Sequence, residues 1–340
     1  MLGLADWSPS MSVAALVASA VVLLIAGSRF TRVVDRLADR LGIGEALAGA
    51  ILLGATTSLP GLIVTVFAAA KGQAELAVSN ALGGIAAQTM FLALADLIYR
   101  RANLEHAAAS LPNLLQTMVL VALIALVLLA AASPPWQVLG IHPVSAVLPL
   151  AYVYGVVLTR RTRHRPMWHP RATGETRPDV PDEAATRASL LRLGVAFGAL
   201  GAAVAGAGFV VAHAGLSLVA HTGISGTLIG ALVTSVVTSL PELVTVLAAV
   251  RLGALTLAVG DIIGGNAFDV LFLAAGDVAF RSGSIYESIG GETLYVLSLT
   301  LLLTALLAAG LLYRERRGIG FEGVAILVVY FVGFTGLALA

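Results

Sequence analysis

The string Thr-Ser-Leu-Pro occurs twice, at Thr57–Pro60 and Thr238–Pro241, each time inside sequence apolar enough to lie in lipid. A shift of 181 residues superposes the two strings and aligns Gly49–Asp96 with Gly230–Asp277 without a gap. Leu76-Ala77-Val78 then falls on Leu257-Ala258-Val259, Gly83-Gly84 on Gly264-Gly265, and Phe91-Leu92-Ala93 on Phe272-Leu273-Ala274. Composition alone produces scattered Ala and Leu matches, not two copies of one four-residue string. A proline inside a helix removes a backbone hydrogen bond and crowds the preceding turn. At membrane depth such a break survives only where it is buried in protein or lines a watery cavity. Interrupted helices in corresponding positions of two halves place a binding site at the interface of the halves.

The apolar frame around these strings sets the fold class. Of 340 residues, 59% are hydrophobic and 11% charged, which makes the chain a polytopic membrane protein. Ten apolar segments are near the length a spanning helix needs. They lie at about 11–28, 41–70, 74–99, 111–133 and 139–159, then at about 189–213, 223–250, 253–280, 292–313 and 321–340. The expected fold is therefore all-α, with ten transmembrane helices in two inverted five-helix repeats and helices 2 and 7 broken at Pro60 and Pro241. The first repeat takes residues 1–159, a polar linker 160–188, and the second repeat 189–340.

Basic residues orient this frame. Arg29, Arg32, Arg36 and Arg40 follow the first helix, Arg100 and Arg101 the third, and Arg160, Arg161, Arg163 and Arg165 the fifth. Arg251 follows the seventh, and Arg314, Arg316 and Arg317 the ninth, while the opposite loops hold little beyond Lys71 and Arg281. By the positive-inside rule both termini lie outside and the linker in the cytoplasm. Lys71 is the sole lysine among 20 basic residues, a bias that with abundant Ala and Gly points to a bacterial chain and its inner membrane. The amino terminus has no basic n-region, so the first segment reads as a spanning helix rather than a signal peptide. Without cysteine, disulfides, thiolate metal sites and cysteine nucleophiles are excluded. The basic residues form no continuous face for nucleic acid; the expected partners are the lipid bilayer and transported cations.

The second Thr-Ser-Leu-Pro string continues into Glu242-Leu243, and the next apolar segment carries Gly-Asp-Ile-Ile-Gly-Gly-Asn-Ala-Phe-Asp from Gly260 to Asp269. Thr234, Ser235, Thr238 and Ser239 supply hydroxyls, and Glu242, Asp261, Asn266 and Asp269 supply carboxylate and amide oxygens. These are hard ligands suited to sodium or calcium. Ionisable groups at membrane depth usually mark an ion path. Ordinary alternatives are hydroxyls bonded back to their own helix and carboxylates facing water at a helix end.

These residues resemble the second alpha-repeat of the sodium/calcium exchanger membrane region, the calcium/cation antiporters, whose ten helices form two inverted repeats. The resemblance implies an ion site at the centre of helices 2, 3, 7 and 8, with rocking of helices 1 and 6 exposing it to either side. It makes Glu242 the principal carboxylate of the second repeat and puts Asp261 at a ligand position. It also puts Thr238 and Ser239 at hydroxyl and backbone ligand positions, with Thr57, Ser58 and Asn80 as their counterparts in the first repeat. The first repeat departs from the pattern. Gly61 stands where a Glu is expected after Pro60, Ile85 where an amide is expected, and Gln88 where Asn is usual. A typical member places one Glu from each half around calcium, so a carboxylate is missing, and Asp269, at a position usually Asn, is the candidate replacement.

The expected function is secondary cation antiport with no cofactor. Calcium or a related cation would exchange against sodium or protons at a shared site. A monovalent cation/proton antiporter and a non-transporting relative are the alternatives that Gly61 raises. An intramembrane enzyme finds no support, since zinc, paired-aspartate and serine motifs are lacking. Among weaker signals, His213 and His221 are expected to bracket an outer loop, and His164 and His169 to lie in the linker. Asp35 and Asp39 beside Arg36 and Arg40 read as a charged loop with local pairing, and Glu45 as interfacial. Asp96 and Asp277 read as solvated helix ends, and the Tyr and Trp residues near segment ends as an aromatic belt.

Overall fold

A computed structural model describes residues 7–41, 54–99, 103–108, 110–164, 189–252, 255–313 and 319–339. The protein is an all-helical membrane protein. Among the described residues, seven helices are long and apolar enough to span a bilayer, and Gly226–Thr238 with Leu240–Arg251 forms an eighth span bent by 46°. The Leu59–Ala70 helix is the described part of the second apolar segment, and the Val144–His164 helix corresponds to the fifth. Glu45, His169 and most of the linker lie outside the described residues.

The helix that organises the bundle is Ala74–Tyr99, buried along nearly its whole length. It touches the Leu59–Ala70, Leu255–Asp269, Gly291–Tyr313 and Phe321–Leu339 helices as well as the two parts of the bent span. Such closeness needs small residues, because van der Waals packing rather than water exclusion holds helices together in lipid. A Cβ at Gly83 would lie 2.5 Å from the Ala231 Cα, and one at Gly230 would lie 2.7 Å from the Leu76 carbonyl oxygen. Around Gly230 the bent span winds as a π-helix, Ile229–Thr234, before its break.

The breaks fall at the serines rather than at the prolines. Ser58 (φ −80°, ψ −3°) and Ser239 (φ −90°, ψ 4°) hold nearly the same conformation between the Gly54–Thr57 and Leu59–Ala70 helices and between the Ser235–Thr238 and Leu240–Leu252 helices. Pro60 and Pro241 thus sit in the first turn of the following helix, where the missing N–H has no intrahelical partner to lose.

The first and sixth helices flank this core and meet it at the breaks. A Cβ at Gly27 would lie 2.8 Å from the Pro241 Cβ, and one at Gly208 would lie 2.9 Å from the Pro60 Cα. Gly27 and Gly208 are themselves related by the 181-residue shift, so each outer helix leans on the proline of the other repeat.

Several loop expectations are corrected. The first helix continues through a π-turn at Leu23–Gly27 into Ser28–Leu41, so the expected charged loop is helical. Arg32, Arg36 and Arg40 follow one another at i, i+4 spacing and are exposed, as the 3.6-residue period dictates. The sixth helix extends to Thr222 and ends at Gly223 in the left-handed region (φ 71°). His213 is therefore buried in mid-helix with its ring 4.3 Å from that of Trp7, and His221 sits in the last turn against the Ser217 carbonyl (2.8 Å). Asp96 and Asp277 are not solvated: 1% and 0% of their surface is exposed. Tyr286 departs from the aromatic belt, being fully buried with its hydroxyl hydrogen-bonded to the Ser145 hydroxyl (3.1 Å).

Candidate cation site

Where the two breaks face each other across the Ala74–Tyr99 helix there is a small cavity, of the size of a single water molecule or a bare ion. It is lined by Ser58, Gly61, Asn80, Ala81, Gly84, Gln88, Thr238, Ser239, Glu242, Asp269 and Phe272. Hydrogen bonds to the two acids cross between the halves. The Ser58 hydroxyl donates to Glu242 Oε1 (3.5 Å), and Gln88 Nε2 donates to Asp269 Oδ2 (2.6 Å). Gln88 and Asp269 are equivalents under the 181-residue shift, so the second contact joins the two repeats at their symmetry axis.

The Asn80 side chain is fixed from three sides. Its Nδ2 donates to the Gly61 carbonyl (3.1 Å) and to Thr65 Oγ1 (3.1 Å), while its Oδ1 accepts from Thr234 Oγ1 (2.7 Å). Thr238 Oγ1 donates back to the Ser235 carbonyl (3.1 Å), a local bond that leaves the hydroxyl oxygen able to accept from elsewhere or to face a cation.

The electrostatics are one-sided. Glu242, Asp269 and Gln88 are 3%, 2% and 1% exposed. Glu242 Oε2, Asp269 Oδ1 and Gln88 Oε1 are buried with no hydrogen-bond donor among the described residues. The lining contains no Lys, Arg or His. A buried carboxylate without a counter-charge costs several kcal/mol. Two of them around one small hollow, beside a third bare oxygen, form a set of acceptors that a cation completes.

Six of the residues expected from sequence, Ser58, Asn80, Thr238, Ser239, Glu242 and Asp269, line this cavity together. Three do not. Thr57 is a hydrogen-bonding neighbour of Glu242 outside the lining. Asn266 is buried one turn before Asp269, with its Nδ2 on Thr89 Oγ1 (3.1 Å) and its Oδ1 without a donor. Asp261 is partly exposed and outside the lining, near enough to Glu242 only for their charges to interact.

The role of Gln88 and Phe272 was not anticipated. Gln88 could have been found from the shift that pairs it with Asp269. Phe272 packs against Gly61: a Cβ at position 61 would lie 3.0 Å from the Phe272 Cε2, so any side chain there requires the ring to give way by a few tenths of an ångström.

A family model described as "Sodium/calcium exchanger protein" matches residues 11–162 and 192–338. The chain is 27% identical over 317 residues to a putative antiporter, CaxA, of Alkalimonas amylolytica, covering 92% of this chain and 94% of that protein. It is 28% identical over 311 residues to the inner membrane protein YrbG of Escherichia coli, covering 91% and 92%. Two solved structures share the fold at low identity. The sodium-calcium exchanger NCX_Mj has a TM-score of 0.62 at 18% identity, with 97% of this chain and 100% of that chain covered. Native YfkE has a TM-score of 0.64 at 15% identity, with 98% and 94% covered.

Proposed function

The chain belongs to the sodium/calcium exchanger family, and from that premise we propose that it exchanges a divalent cation, calcium or a close analogue, against sodium or protons at the cavity between the two breaks. The observation that carries the reading is the trio of bare buried oxygens, Glu242 Oε2, Asp269 Oδ1 and Gln88 Oε1. Glu242 and Asp269 together supply two negative charges, which match a divalent cation. Asp269 thus stands in for the carboxylate that Gly61 lacks, although it comes from the same repeat as Glu242. Unit charges about 4 Å apart interact by roughly 4 kcal/mol at an effective dielectric near 20, doubled for a divalent ion. The site accordingly favours divalent over monovalent occupancy. Ser58, Ser239 and Thr238 complete the oxygen shell, with Asn80 setting the position of the Gly61 carbonyl. Thr57, Asp261 and Asn266 act at one remove, Thr57 by holding Glu242 and the other two by lending negative potential or polarity along the path.

Coupling follows from competition. Two sodium ions or two protons neutralise the same carboxylate pair that one calcium ion does, so the cargoes exclude each other. Alternating access comes from movement of the outer helices over the core, the Gly27–Pro241 and Gly208–Pro60 contacts being the surfaces on which they move. Residues 1–159 and 189–340 act as the two inverted units. Both termini face outward and the 160–188 linker faces the cytoplasm of a bacterial cell, as the arginine distribution favours.

The test is uptake into proteoliposomes under imposed gradients of sodium or protons, with calcium, sodium, potassium and magnesium as cargo. Calcium accumulation driven by an outward sodium or proton gradient supports the reading. Gradient-driven movement of monovalent cations alone contradicts it.

A further inference from the structure

We propose that Asp96, Glu105 and Glu322 form a second divalent-cation site, separate from the central cavity, at the end of the Ala74–Tyr99 helix. The three side chains come from three elements: the end of that helix, the short Leu104–Ala108 helix, and the start of the Phe321–Leu339 helix. One carboxylate oxygen from each lies within 4.8 Å of the other two, and all three residues are buried, with 1%, 0% and 0% of their surface exposed. An ion that holds oxygens at about 2.3–2.6 Å, as calcium does, spans such a separation. The donors are all hard oxygens, with no imidazole or thiolate that would favour zinc.

Burial of acids in one place is not enough, since hydrogen bonds can satisfy them. Here they do not. Asn103 Nδ2 donates to Glu322 Oε1 (2.6 Å) and Asp96 Oδ2 (3.4 Å), and the Leu104 N–H donates to Asp96 Oδ1 (2.8 Å). Among the described residues, no hydrogen-bond donor reaches either buried carboxylate oxygen of Glu105 or the buried Oε2 of Glu322. The charged neighbours of Glu105 among the described residues are the acids Asp96 and Glu322. The pocket is also shaped for a carboxylate. A Cβ at Gly320 would overlap the Glu322 carboxyl group, and one at Gly310 would overlap its stem.

The other repeat supplies an internal control. Asp277, equivalent to Asp96, receives four donors. Ser284 Oγ and the Ile285 N–H reach its Oδ1 (2.8 Å each), and the His142 N–H (2.8 Å) and Ser145 Oγ (2.7 Å) reach its Oδ2. Leu104 and Ile285 are equivalents under the same shift, so the backbone clasp is common to both ends. Where Tyr286 closes the satisfied end, Glu105 occupies the corresponding position, and the two carboxylates added there, Glu105 and Glu322, are the ones left with bare oxygens. A purely structural clasp needs only the Asp277 arrangement. The added acids demand positive charge.

Equilibrium binding of radiolabelled calcium tests this on the full chain in lipid nanodiscs. The background is Glu242→Gln with Asp269→Asn, so that failure of the central-site reading does not affect the outcome. About one calcium should bind per chain, and its presence should raise the apparent unfolding temperature. Adding Glu105→Gln should weaken binding at least about tenfold, as loss of a metal ligand does, without lowering the metal-free unfolding temperature, because it removes an uncompensated charge. Glu322→Gln carries the same test should the Glu105 variant not yield monodisperse protein. Absence of bound calcium in the background overturns the proposal. So does calcium binding that both substitutions leave unchanged.

Discussion

At position 61 a glutamate would have to enter space held by the Phe272 ring, since the Cβ alone would come within 3.0 Å of Cε2. Restoring the family residue by Gly61→Glu should therefore overpack the site and cost about 1–3 kcal/mol, read as a lower apparent unfolding temperature. Phe272→Ala in the same chain should recover part of that loss, and a temperature unchanged by Gly61→Glu would show that the ring does not block the position. Asp269 carries the complementary expectation. Asp269→Asn leaves the Gln88 contact a partner of the same shape but removes one of two charges. Calcium affinity measured by calorimetry should fall by about 3–4 kcal/mol, two to three powers of ten. Sequence made Glu242, Asn80 and the two break serines legible, because identical strings repeated at one offset leave little freedom in register. Asp261, the equivalent of Asn80, lies outside the cavity lining. The second repeat interrupts its helix after Asp269, between Leu255–Asp269 and Leu271–Ala279, where the first repeat runs on unbroken. No proline or glycine stands at Val270 to announce that interruption. Asp96 and Asp277 look solvated in sequence because an acid at a helix end has the same pattern whether water or a folded clasp receives it.

The outer helices test the account at the scale of elements. Gly27 and Gly208 are not part of the cavity lining, yet each brings its helix against the proline of a break. A valine at either place would wedge the outer helix away from the core or lock it in one position. Gly27→Val and Gly208→Val should slow gradient-driven flux severalfold or more while leaving equilibrium calcium affinity within about threefold, a difference under 1 kcal/mol. Equal losses of both would make these glycines part of the site's architecture rather than of its motion. By contrast Gly83, whose Cβ would meet the Ala231 backbone, lies within the fixed core. Gly83→Leu should lower stability and affinity together. Length and polarity predicted the spans well, since apolar runs of this size have few other folds. They did not predict how far the first and sixth helices continue, nor the π-turns at Leu23–Gly27 and Ile229–Thr234. An amphipathic extension with four arginines looks like a loop to a hydropathy scan, and a single extra backbone residue in a turn leaves no compositional trace.

Across the whole molecule the two repeats share a backbone plan but divide the chemistry unequally. The clasp at the end of the third span, the glycine-on-proline contacts and the break serines come in pairs related by one shift. The central charge does not: Glu242 and Asp269 both belong to the second repeat, and the first contributes Ser58, Asn80 and Gln88 as neutral partners. The most direct measurement is sodium- or proton-driven calcium uptake by proteoliposomes containing wild-type protein, Glu242→Gln or Asp269→Asn, with equal incorporation verified. Rapid uptake by the wild type that either single substitution reduces to the level of empty vesicles is the predicted result. Undiminished uptake by both variants would mean that the cation travels elsewhere in the molecule.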